Sequence, residues 1–161
     1  MVAEALSQLR QQGDPRAALV TLEAYALAFP HGVLETEALR TRLEADIRLD
    51  DRKSALALLD AMPGLWDEPG TELLLTRAEL RAAVGRFREA LADFTQVVDG
   101  EGGASAASER ALYGRAVCLG RLAEDDRARA DLLAYEHRFP HGRFATEVRR
   151  LLSEPATAER P

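Results

Sequence analysis

The tetrapeptide Phe-Pro-His-Gly occurs twice, at Phe29 to Gly32 and at Phe139 to Gly142, 110 residues apart (139 − 29 = 110). The likeness runs on either side of it. Ala18, Leu22, Ala24 and Tyr25 recur as Ala128, Leu132, Ala134 and Tyr135, and Thr36, Glu37 and Arg40 recur as Thr146, Glu147 and Arg150. A match spread over so many positions makes this a repeat protein, whose fold must house the same stretch in two places.

The repeated stretch reads as a helix, a corner and a second helix. Ala18, Leu22, Tyr25 and Phe29 are spaced 4, 3 and 4 apart, one apolar stripe on a helix. Pro30 has no N–H to donate and drives Phe29 out of the helical region, so the helix stops there. Gly32 is placed to cap a new helix from Val33, with Glu35 and Glu37 complementing the dipole in its first turns.

With 161 residues, 47% hydrophobic and 30% charged, the chain has the make-up of a soluble globular domain large enough to bury a core. Its apolar content is dominated by Ala and Leu, and no β-branched run alternates, which leaves helix as the only well-supplied structure. The net charge is −6 and no basic cluster stands alone; Glu147 and Glu154 flank Arg149-Arg150, the one Arg pair. A surface tracking phosphates needs a positive stripe, so no nucleic-acid partner is expected. Cys118 is the only cysteine, which excludes an internal disulfide. No apolar run approaches the length of a membrane span, and Glu4 interrupts the beginning where a signal peptide would be apolar, so neither a signal peptide nor direct membrane insertion is expected.

Taken in order, the chain predicts nine helices. The first spans Val2 to Gln11, and Gly13-Asp14-Pro15 turns into the second with Asp14 as N-cap. The second runs to about Phe29, the third from Val33 to Arg48, and the fourth, capped by Asp51, from Arg52 to Ala61. Pro63-Gly64 is a stop, and Leu65 to Gly70 holds the only tryptophan, Trp66. Helices follow over Thr71 to Val84, Phe87 to Val98, Ala106 to Leu122, Asp126 to Phe139 and from Gly142 to Leu152. Asp99 to Ser105, with Gly100, Gly102 and Gly103, is expected to be a flexible linker. The expected organisation is one helical repeat domain over residues 1–153 and a disordered tail over 154–161.

A shorter period lies inside the long one. Ala18, Ala55, Ala90 and Ala128 are spaced 37, 35 and 38 apart, each followed four residues later by a large apolar residue: Leu22, Leu59, Phe94 and Leu132. A small residue lets paired helices approach and the large one fills the groove beside it. The third unit, Ala78 and then Gly85-Arg86-Phe87-Arg88-Glu89-Ala90-Leu91-Ala92-Asp93-Phe94, resembles a tetratricopeptide repeat at its small, turn and aromatic positions. The Phe-Pro-His-Gly corners resemble the variant repeats of bacterial cell-envelope proteins, such as the lipoprotein of outer-membrane barrel assembly and the periplasmic coordinator of cell division. Arg81 departs from the family, which has an aromatic there. The resemblance implies an all-α fold: a right-handed α-solenoid of about four tetratricopeptide-like helix pairs plus a C-terminal capping helix.

Candidate chemistry is thin. His137 and His141 are four apart, but Pro140 breaks the face a metal pair would share, so no metal is expected and the corner histidines His31 and His141 are read as loop residues. Asp50-Asp51 and Glu124-Asp125-Asp126 lie at turns where acids cap the next helix. Cys118 sits on an apolar run and reads as a buried structural thiol. No enzyme activity and no cofactor are expected.

By the resemblance, the first helix of each pair lines a concave groove that takes a peptide or partner protein. The positions carried over are Glu37, Arg40, Glu44 and Arg48; Glu72, Leu75 and Glu79; and Arg110, Tyr113, Val117 and Arg121. Lys53 is the only lysine and Asn is absent, so the mode that clamps acidic chaperone tails through Lys and Asn is not expected. The expectation is a scaffold or adaptor in a bacterial cell-envelope or regulatory assembly. The alternative is a self-associating structural homo-oligomer, held by Trp66 and an apolar end of the ninth helix. Localisation is expected to be cytoplasmic from this chain alone, and periplasmic if it is a domain of a longer envelope protein.

Overall fold

The computed structural model describes residues 1–61, 71–100 and 105–154. Among them the structure is all-helical, with nine α-helices and no strand. The chain divides into two compact units, Met1–Pro63 and Gly64–Pro161. The Leu65 to Gly70 segment with Trp66, Gly102 and Gly103 of the expected linker, and residues 155–161 of the expected tail lie outside the described residues.

The first unit holds α1 (Val2–Arg10), α2 (Pro15–Ala28), α3 (Glu35–Arg48) and α4 (Arg52–Ala61). Each packs on the next, and α1 also touches α3. Its core gathers Ala5, Leu9, Ala18, Leu22, Tyr25 and Ala45. The second unit holds α5 (Thr71–Ala83), α6 (Phe87–Gly100), α7 (Ala106–Arg121), α8 (Asp125–Arg138) and α9 (Ala145–Ser153). Here too neighbours pack in order, and α5 touches α7. One cluster centres on Leu75, Ala78, Ala90 and Phe94, another on Leu112, Tyr135 and Val148.

The short period is visible in the backbone. All four alanines and the four large residues that follow them are buried. Five residues before each alanine, at Gly13, Asp50, Gly85 and Ala123, the chain takes a left-handed conformation with φ between 55° and 83°. At the last three this closes a Schellman turn: Asp51, Arg86 and Glu124 donate their N–H groups back to Asp46, Arg81 and Leu119 carbonyls. Asp50 therefore serves as the turn's left-handed residue and pairs with Arg52 at 2.8 Å, while the helix cap is Asp51, which accepts from Ser54 N at 3.1 Å. Asp14 caps α2 by accepting from Ala17 N at 3.0 Å. The acids at 124–126 do not cap as expected: Glu124 holds the cap position of α8, but its carboxylate pairs with Arg127.

Arg81, the departure from the family pattern, has a partner. Asp93, three residues after Ala90 and 4% exposed, accepts two bonds from Arg77 (3.0 and 2.8 Å) and one from Arg81 (2.7 Å). Asp131, three after Ala128, accepts two bonds from Arg115, both 2.7 Å. Both pairs of the second unit that are fully described thus carry the same buried Arg–Asp fork, which supplies the paired geometry a buried carboxylate requires.

Candidate functional site

The two corners have the same construction. α2 ends at Ala28 and α8 at Arg138, each one residue before a Phe-Pro pair. The following helices begin later than Val33 and Gly142 suggested, at Glu35 and Ala145, with Leu34 and Phe144 in the cap position. The N-caps are apolar, and a tyrosine does the work a polar cap would do. Tyr25 Oη accepts the Leu34 N–H at 3.2 Å, and Tyr135 Oη accepts the Phe144 N–H at 2.9 Å. Gly32 and Gly142 are accordingly not caps and have no left-handed φ; their use is space beneath the tyrosine hydroxyl. The left-handed residue of the first corner is His31, at φ 63°.

The corners differ in what completes them. Tyr135 Oη donates to Glu109 Oε1 at 2.5 Å, and the same oxygen accepts the Arg143 N–H at 2.6 Å. Burial and the neighbouring carboxylate push the Tyr135 hydroxyl up to about 12. Glu109 comes from the first turns of α7, so the second corner is locked to α7 by one carboxylate. Around it Tyr113 stacks on Phe144, with ring centroids 4.2 Å apart, and Phe139 lies 5.4 Å from Tyr135. Phe139 is packed against the core. Phe29 is not: it is 53% exposed, because the first corner has Leu34 where the second has Phe144 and no ring answers Tyr113. His31 and His141 are both exposed, and His31 Nδ1 lies 3.7 Å from a Glu35 carboxylate oxygen.

The residues assigned to the groove separate into three groups. Leu75 is fully buried in the core and is corrected out of any surface: it points towards the paired helix because Leu74, Leu75 and Ala78 form the apolar stripe of α5. Several of the charged residues link neighbouring first helices. Glu44 on α3 takes Arg10 of α1 at 2.8 Å and Arg48 at 2.9 Å, and Arg48 also donates to the Leu9 carbonyl. Arg110 on α7 takes Glu79 at 2.8 Å and Glu72 at 3.0 Å, both from α5. Tyr113 is half-buried in its stack. Glu37, Arg40 and Arg121 are exposed, and Val117 is half-buried. The first helices do therefore share a face inside each unit, and ion pairs stitch it together.

Sequence reading missed the tyrosine latch, the Glu109 lock and the Arg–Asp forks. Tyr25 and Tyr135 were legible as repeated positions, but only as part of an apolar stripe; the signal for a polar role was the glycine held seven residues later in both copies. Cys118 is fully buried and its thiol is pushed up to about 11 by burial, in line with a structural residue. The apolar end of α9 is packed rather than open, since Leu151 and Leu152 lie against the Tyr135 cluster. No described helix is long and apolar enough to cross a membrane. Compared with known proteins, the chain matches no family model and no curated protein sequence.

Proposed function

We propose that the chain is a non-catalytic interaction module, its helix pairs stacked within each unit in the right-handed manner of tetratricopeptide repeats. A peptide or partner protein lies along the face shared by the first helices of successive pairs. The observation that carries this reading is the contact of α1 with α3 and of α5 with α7, bridged by Arg10–Glu44 and by Arg110 with Glu72 and Glu79. Those ion pairs hold the first helices side by side and leave Glu37, Arg40 and Arg121 exposed for contact, with Val117 half-buried. The setting implied by the resemblance is a bacterial cell-envelope or regulatory assembly, where such modules act as scaffolds.

Site-directed photocrosslinking in the native host tests it. A photoreactive residue at Arg40 or Arg121 is expected to trap one common polypeptide, and one at Gln96, exposed on the second helix of its pair, is expected to trap none. Crosslinks from Gln96 alone, or only between copies of this chain at every position, overturn the reading. The second outcome favours the self-associating alternative.

A further inference from the structure

The two corners offer a comparison within one molecule. In the second, a carboxylate seats on two donors, the Tyr135 hydroxyl and the Arg143 N–H. The first has the counterparts of these donors, the Tyr25 hydroxyl and the Val33 N–H, on a corner that shares its turn hydrogen bonds and differs in the left-handed φ of His31. Gly32 N donates to Phe29 O and Glu35 N to Gly32 O, as Gly142 and Ala145 do in the second. Among the described residues neither the Tyr25 hydroxyl nor the Val33 N–H donates to any acceptor.

The surface around these donors is also unlike its counterpart. Phe29 (53% exposed), Val33 (103%) and Leu34 (53%) are exposed apolar residues of the corner itself, and Leu27 (85%) is a fourth on the last turn of α2. Their equivalents are Phe139, Arg143, Phe144 and His137, two of them polar and the two rings half-buried. Exposed apolar side chains beside unpaired polar groups mark an interaction surface. Glu35 stands where the second corner has Ala145, but its carboxylate lies beside His31 rather than on the donors.

We propose that the first corner is a docking site for a partner polypeptide that inserts a glutamate side chain between the Tyr25 hydroxyl and the Val33 N–H. Its flanking apolar residues cover Leu27, Phe29 and Leu34. Glu109 displays the chemistry: one carboxylate oxygen, delivered from the first turns of a helix, takes both donors. Charge-assisted bonds of this kind are the stronger class, and covering the corner's exposed apolar residues excludes water from them. The partner reading of the whole chain supplies the source of the glutamate; the donor pair itself is independent of it.

Two-dimensional amide NMR of the full chain tests both parts. The probes are sodium acetate, a short N-acetylated, C-amidated peptide with one Glu between leucines, the same peptide with Gln, and the Gln peptide with a free carboxyl terminus. The Val33 and Leu34 amides are expected to shift saturably with the Glu peptide, at far lower concentration than with acetate. The Gln peptide is expected to leave them unmoved, and Tyr25→Phe to weaken the Glu peptide roughly ten-fold. The Arg143 amide, already occupied, is expected to stay still, and to respond to acetate in Glu109→Ala. A silent Val33 with every probe removes the site and leaves the proposed function standing. Response to acetate or a free terminus alone overturns the glutamate-bearing partner. Should Tyr25→Phe not fold, the Glu and Gln peptides on the unaltered chain decide.

Discussion

A Cβ atom at Gly142 would stand 2.6 Å from the Tyr135 hydroxyl and closer still to the Glu109 carboxylate. At Gly32 it would stand 2.5 Å from Tyr25 Oη, and the next nearest atoms belong to Phe29 rather than to a carboxylate. Gly142→Ala must therefore break the lock, and is expected to destabilise the second unit by about 1–3 kcal/mol, the range for overpacking and for orphaned buried polar groups. Gly32→Ala is expected to cost less. Urea denaturation of both variants checks the order; equal losses would contradict the role given to Glu109.

The shared carboxylate of Asp93 leads to a larger effect. Asp93→Ala strands two partly buried guanidinium groups, Arg77 and Arg81, at the centre of one helix pair. Removing one partner of a buried ion pair costs about 3–5 kcal/mol. Thermal denaturation is expected to show severe loss, or no folded second unit.

The corner aromatics separate structure from surface. Phe139→Ala is expected to cost about 2 kcal/mol, below the range for a fully buried phenylalanine because its ring is half-buried, while His141→Ala, on the surface, changes stability by less than about 0.5 kcal/mol. Phe29→Ala is expected to fall well below Phe139→Ala because its ring is already in water. Calorimetry on the three variants ranks them.

Asp46 gives a pH dependence with a definite sign. Its side chain is buried, with Oδ2 lacking a hydrogen bond and Arg42 no closer than 4.0 Å, and burial raises its pKa from the ordinary 3.8. A carboxyl group raised in the folded state binds its proton more tightly there than in the unfolded chain. Its contribution is thus most favourable below the unfolded value and is lost as pH rises through the raised one. Asp46→Asn is expected to add about 1 kcal/mol near neutral pH and little below about pH 4. Denaturant midpoints of the two proteins across that range check it.

Ala123 is a further target. At φ 59° it occupies a turn position that glycine fills in two of the other pairs, and left-handed backbone costs an alanine about 1–2 kcal/mol. Ala123→Gly is expected to stabilise the second unit by somewhat less, about 0.5–1 kcal/mol, since glycine loses more freedom on folding. A lowered melting temperature would refute this.

The helices and their pairing were legible because they rest on local rules. Pro30 and Pro140 stop helices wherever they stand, Asp14 and Asp51 cap them, and Ala18, Ala55, Ala90 and Ala128 recur at near-constant intervals. The candidate site was less legible because its terms are non-local. Leu75 is drawn inward by the stripe it shares with Leu74 and Ala78, a register that carry-over from a family cannot set to within one residue. Glu109 reaches its tyrosine across 26 positions, and Arg77 and Asp93 meet only because two helices turn back on each other. Such charges are indistinguishable from solvated ones until the helices are placed.

Cys118 makes the chain its own stopwatch. The one thiol of the sequence is fully buried in the second unit, and burial holds it protonated. A thiolate-seeking reagent can meet it only after that unit opens. With reagent in excess the labelling rate becomes the opening rate, read from a single mass shift without any engineered probe. Every variant of the second unit described above can be timed in that way, and a partner that clasps the unit would announce itself as a slower clock.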